Sequence, residues 1–185
     1  VISTVACAVV LAFSGCSDQR QADSGSTSQG STAPAARASK STWDNPTLPN
    51  PVLRKATLWL GPHEINVEVA MTALEVATGM MFRESLPENS GMLFAFSRPR
   101  TVAFYMKNTT VPLSAAYINS EGKVVEIHDL EPLDEESIPS KEDNIQFVLE
   151  MNQGWFEKNG IGTGTLITTD KGTLATQIAS GNYFR

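Results

Sequence analysis

The chain has little cysteine, little histidine and no long apolar run. Cys7 and Cys16 are its two cysteines, so nothing downstream of Cys16 can form an internal disulfide, and the rest must hold together by packing. His63 and His128 are its two histidines; zinc held by these two alone would be under-ligated. The metalloprotease pattern H-E-x-x-H and the nucleophile-elbow pattern G-x-S-x-G are missing, and no free thiol follows Cys16. No metal and no cofactor are expected. Basic residues are outnumbered, 14 Lys and Arg against 20 Asp and Glu, for a formal charge of −6. Nucleic-acid binding, which requires a basic face, is therefore not expected. The longest apolar run, from Val5 to Phe13, falls well short of the roughly 20 residues of a membrane-spanning helix.

That run does have the length of a signal-peptide apolar region, and it leads into the small pair Ser14-Gly15 and then Cys16. The order predicts a lipoprotein-type signal over residues 1–15, cleaved ahead of Cys16, which then carries acyl chains. Phe13 stands where an aliphatic Leu is usual. Ser17 follows the cysteine in place of Asp, which in a Gram-negative cell favours the outer membrane, facing the periplasm. Residues 16–51 read as a flexible linker, because Ser, Gly, Thr, Pro and Ala dominate and too little apolar surface is present to offset the entropy of ordering. Such a coil reaches roughly 30–35 Å. The expected location is the cell envelope, with the membrane as partner through a lipid anchor.

Residues 52–170 have the size of one domain, and residues 171–185 form a tail with no assigned element. Ile65, Val67 and Val69 alternate with Glu64, Asn66 and Glu68, the period of a half-buried strand. Residues 57–60 precede it across Gly61-Pro62, predicting a hairpin. Thr72 and Glu75 fit a capping box for a short helix from Ala73 to near Gly79. Further strands are predicted over residues 92–96, 102–107, 115–119, 123–128, 145–151 and 165–169, with a turn at residues 119–122. In the strand from Ile145, alternate positions Ile145, Phe147, Leu149 and Met151 share one face, with Gln146 and Glu150 on the other. A helical turn is placed between Gly154 and Gly160. The expected fold is mainly β, a small sandwich or barrel-like domain with one or two short helices.

Three blocks carry a family resemblance: Gly79-Met80-Met81-Phe82-Arg83-Glu84-Ser85-Leu86 with Gly91-Met92-Leu93-Phe94-Ala95-Phe96; Phe104-Tyr105-Met106-Lys107-Asn108-Thr109-Thr110-Val111-Pro112-Leu113; and Phe147-Val148-Leu149-Glu150-Met151-Asn152-Gln153-Gly154. In this order and spacing they resemble the domain-of-unknown-function family 192, over roughly residues 55–170. The resemblance implies a compact, mostly β domain, often exported, and brings no established reaction. Tyr105 replaces a usual Trp, and Ser114 stands where an Asp usually follows the Pro-Leu pair.

Candidate site residues come from the central block. If Phe104 and Met106 face the core, Tyr105 and Lys107 point the other way, with Asn108 and Thr109 offering an amide and a hydroxyl where the strand ends. Arg83 is placed to join them as an anion clamp. These five either hold a small polar ligand, such as a saccharide or peptide fragment, or serve the backbone, since Asn-Thr ahead of a Pro-bearing loop often bonds its own chain. The acidic stretch from Asp129 to Asp143 lacks calcium-loop spacing and reads as a solvated loop. The leading expectation is a membrane-tethered envelope binding or accessory module, with no catalytic signature. One alternative is a hydrolase or transferase using carboxylates among Glu126, Asp129 and Glu150 with Lys107; another is a structural module that contacts an envelope protein.

Overall fold

A seven-residue stretch buried on both faces, Ile145 to Met151, runs through the middle of the computed structural model as most of strand β8 (Ile145–Asn152). The structure describes residues 46–179; the predicted signal, Cys16 and most of the linker lie outside the described residues. Around β8 the sheet is built from β1 (Arg54–Leu60), β2 (His63–Ala70), β3 (Ser90–Arg100), β5 (Leu113–Asn119), β6 (Val124–Leu130), β9 (Ile167–Thr169) and β10 (Gly172–Thr173). Its order is β10-β9-β1-β2-β3-β8-β5-β6. Among the described residues only β2 and β3 pair parallel, which requires a crossover connection, and α1 (Ala73–Thr78) supplies it. The predicted capping box is present: the Glu75 N–H donates to Thr72 Oγ1, and the Thr72 N–H donates to the Glu75 carboxylate.

The sheet curls into a half-barrel. Its two ends are drawn together where Val124 N–H donates to the Thr165 carbonyl at 2.9 Å and Ile167 N–H to the Gly122 carbonyl at 2.9 Å. Gly122 sits there at φ +84°, a conformation that favours glycine. Inside the curl, Leu58, Val67, Leu93, Leu149, Phe147 and Ile118 pack with Trp155 and Phe156 of α2 (Trp155–Lys158) and Leu174 of α3 (Leu174–Ala179). A second core lies on the outer face, built on Met92, Phe94, Val148, Ala115 and Tyr117. Above it lie the segment after α1 and a small ribbon, β4 (Ala103–Phe104) paired with β7 (Ile138–Pro139).

The domain is mainly β, with three short helices among the described residues rather than one or two. The third, α3, follows β10 in the tail that carried no assignment. The strand predicted over residues 102–107 shrinks to the two residues of β4. Asn108 takes φ +54°, turning the chain, and Met106 N–H is drawn to the Asp134 carbonyl at 2.7 Å. The predicted hairpin is present as β1–β2, and the turn closes with Gly122 N–H on the Asn119 carbonyl.

Close approach of β3 to β8 depends on Gly91. A Cβ at that position would land on the Glu150 carbonyl oxygen and the Met151 sulfur. Gly91→Ala is therefore expected to destabilise the protein by about 3 kcal/mol through overpacking, read as a lower urea midpoint at unchanged m value. A loss below ~1 kcal/mol would mean that the two strands separate easily.

Candidate functional site

β8 is central, so the side of it that carries Glu150 is covered. The register aligns Glu68 of β2, Met92 of β3, Glu150 of β8, Ala115 of β5 and His128 of β6 in one row across the outer face. At the centre of that row Glu150 is 4% exposed. No side chain among the described residues hydrogen-bonds its carboxyl or forms an ion pair with it. Burial alone pushes its pKa up to about 8, so it carries its proton at neutral pH.

Glu150 faces a cavity of about 330 Å³. Phe94 and Leu113 join it from the sheet, Thr78 at the end of α1 with Met80 and Met81 just after it closes one side, and the strap from Arg100 to Met106 closes the other. Phe94 and Phe104 meet edge to face at 4.9 Å between ring centres. The Arg100 guanidinium lies over the Phe96 ring at 4.4 Å from its centre. The wall thus mixes aromatic and thioether side chains with Thr78, Thr101, Thr109 and Arg100, around one unpartnered neutral acid.

Three loops are joined at the rim by backbone bonds, and each carries a non-glycine residue at positive φ. Phe82 (φ +63°) donates its N–H to the carbonyl of Asn108 (φ +54°), and Leu133 (φ +63°) donates to the Thr109 carbonyl. Bulky residues rarely adopt that conformation, and surrounding structure must over-determine it. Phe82, Tyr105 and Leu133 are exposed at 38%, 40% and 59%.

The five sequence-predicted site residues divide. Tyr105 and Thr109 line the cavity; Arg83, Lys107 and Asn108 do not. Arg83 makes a two-pronged bond to Glu68, Nη1 to Oε1 at 3.1 Å and Nη2 to Oε2 at 2.7 Å, pinning the segment after α1 to β2. Its Nε is buried without a partner. The Thr109 hydroxyl donates to the Lys107 carbonyl, and Lys107 makes no ion pair among the described residues. The other two candidate carboxylates are engaged elsewhere. Glu126 bonds His128 Nε2 at 2.9 Å and accepts the Lys141 N–H. Burial works against its ionisation, but these bonds hold its carboxyl below the ordinary value. Asp129 accepts the Ser114 hydroxyl at 2.5 Å, and that hydroxyl in turn accepts the Gly154 N–H. Cavity residues Thr78 and Arg100 carried no sequence signal, while Met80 and Met81 stand in the first family block. Glu150 stands in the sequence with Gln146 on the polar alternate of its strand, and the strand order is what covers that face.

Residues 56–169 match the family model of domain of unknown function 192, described as "uncharacterized ACR", and the chain belongs to that family. It is similar to the crystal structure of a protein from Sinorhizobium meliloti 1021 suggested to be a transcription regulator, at 32% identity and TM-score 0.62, over 65% of this chain and 98% of that one. It is also similar to a protein of unknown function from Novosphingobium aromaticivorans DSM 12444, at 29% identity and TM-score 0.60, over 70% and 97%. No curated protein matches the chain.

Glu150 links stability to pH. The folded protein holds its proton up to about pH 8, while the unfolded chain releases it near 4.5. Its contribution is therefore fully present below the unfolded value and lost as pH rises, by about 1.4 kcal/mol per unit between the two. Stability relative to Glu150→Gln is expected to fall with that slope from pH 5 to 7 in urea unfolding. Parallel profiles for the two proteins would contradict it.

Proposed function

We propose that this member of family 192 is a membrane-tethered binding module of the bacterial envelope, and that the cavity over Glu150 holds one small molecule. The observation carrying this reading is an unpartnered carboxyl, 4% exposed, facing a cavity of about 330 Å³. Burying a polar group without a partner costs about 1–3 kcal/mol, a cost that a bound ligand's hydrogen bond would offset. Small-molecule sites are concave, mostly apolar and marked by a few convergent polar groups.

The lining refines the ligand. The three methionines and three phenylalanines of the lining offer contact to an apolar body, with the polar part of the molecule at Glu150. Hydrolysis by a carboxylate pair has less support, because it needs two carboxyls flanking one site, and Glu126 and Asp129 do not line this cavity. The acidic balance of the chain gives no support for carrying a transcription role over from a relative. The tether rests on the apolar run and on Ser14-Gly15-Cys16.

Two outcomes check this reading. Amide NMR spectra recorded with short amphiphilic compounds are expected to move the signals of Thr78, Gly79, Tyr105 and Glu150, while simple sugars leave them in place. If all compounds leave those four signals unmoved, the cavity is not a binding site. For the tether, cells grown on an alkyne fatty acid should label the protein, with the label lost in Cys16→Ser; equal labelling of both forms would remove the lipid anchor from the account.

A further inference from the structure

The cavity has features that bear on the charge of its occupant. Four aromatic residues line it, Phe94, Phe96, Phe104 and Tyr105, and aromatic faces carry negative potential that attracts cations. One of these rings, Phe96, already carries a cation, the Arg100 guanidinium. The one carboxyl inside is unpartnered. The acidic loop also flanks the rim: Met106 N–H bonds the Asp134 carbonyl, Leu133 N–H bonds the Thr109 carbonyl, and Asp134, Glu135 and Glu136 are exposed there. A field of that sign concentrates cations at the mouth.

We propose that the cavity binds a small organic ammonium ion, its charged head on the Glu150 carboxylate and its apolar body against Phe94, Phe104, Met80 and Met106. This rests on the reading of the cavity as the ligand site and adds the class of ligand. The volume fits roughly ten non-hydrogen atoms, taking ~30 Å³ for each water-sized group. Arg100 does not block the head. Although it lines the same cavity, its guanidinium lies over Phe96 and forms no ion pair with Glu150 among the described residues.

The proton balance follows directly. Free Glu150 is held neutral by burial; the ammonium keeps its proton, and the Glu150 proton passes to solvent as the ion pair forms. Arg100 and Tyr105 line the same cavity, and Tyr117 on the neighbouring β5 couples electrostatically to Glu150. Two strands away on either side, on the same sheet face, lie Glu68, bonded to Arg83, and His128, bonded to Glu126. α1 and the segment after it bring no ionisable group to the lining, and neither does β3 before Arg100. Affinity for an ammonium ion therefore rises with pH, approaching tenfold per unit below about pH 8.

The test compares hexylammonium, hexanamide and hexanoate on the full chain, by calorimetry in buffers of different ionisation enthalpy and by amide NMR. Hexylammonium is expected to bind at least about tenfold more tightly than the other two and to release a proton at pH 7. Glu150→Gln should abolish that preference, and Phe104→Leu, which keeps the carboxyl, should weaken hexylammonium roughly fivefold. Equal or tighter binding of hexanamide or hexanoate at the cavity residues overturns the ammonium class and leaves the cavity reading standing. Hexylammonium affinity that is independent of pH and of Glu150 overturns the class as well. No shift at the cavity residues with any of the three probes overturns both.

Discussion

One constraint organises this domain: β8 is covered on both faces. A strand in that position is normally apolar throughout, and Phe147-Val148-Leu149 and Met151 meet that demand. Glu150 does not. On the inner side of the curl, Leu149 and Phe147 join the larger core; on the outer side, Val148 packs with Phe94 and Tyr117, and Glu150 is left facing open space. The strand order and the glycine at position 91 hold it there, because β3 and β8 approach too closely for any side chain at that point.

The walls around Glu150 are held by bonds between distant parts of the chain. Arg83 ties the segment after α1 to Glu68, fifteen residues earlier. Tyr117 donates its hydroxyl to the Ile138 carbonyl at 2.6 Å, and Ser140 accepts the Val102 N–H and gives its own N–H to the Val102 carbonyl. These contacts hold the β4–β7 ribbon over the outer core. Glu126, bonded to His128 and to the Lys141 N–H, anchors the far end of the acidic loop. The polar residues of the family blocks thus divide into two groups: Arg83, Asn108 and the backbone of Thr109 build the rim, while Tyr105 and Glu150 face the space within it. Strain at Phe82, Asn108 and Leu133 is concentrated at this rim, and strained backbone is typical of sites where geometry serves binding.

Local features were legible in the sequence. The Thr72–Glu75 capping box, the β1–β2 hairpin and the turn ending at Gly122 all depend on residues within a few positions of one another, and each is present. Features set by long-range pairing were not legible. The strand predicted through residue 107 stops at Phe104 because bonds from Asp134 and Phe82 fold the next residues into a turn. Alternation in β8 correctly placed Glu150 opposite Leu149, but only the strand order reveals that its face is covered. Arg83 read as an anion clamp because its partner Glu68 lies on a strand whose neighbours local periodicity cannot supply. The family resemblance did identify the blocks that surround the cavity, without indicating which side chains face it.

Glu150 stands as a neutral acid in the cavity between the sheet and the strap, and its own titration decides whether it does. A carbon-13 NMR titration of the glutamate side-chain carboxyls, with Glu150 assigned by its absence in Glu150→Gln, follows its ionisation directly. A midpoint near 8 is expected, above the ordinary carboxylate range. A midpoint near 4.5, the ordinary value, would mean that the carboxyl is solvated or paired, and the cavity would lose the feature that marks it as a site.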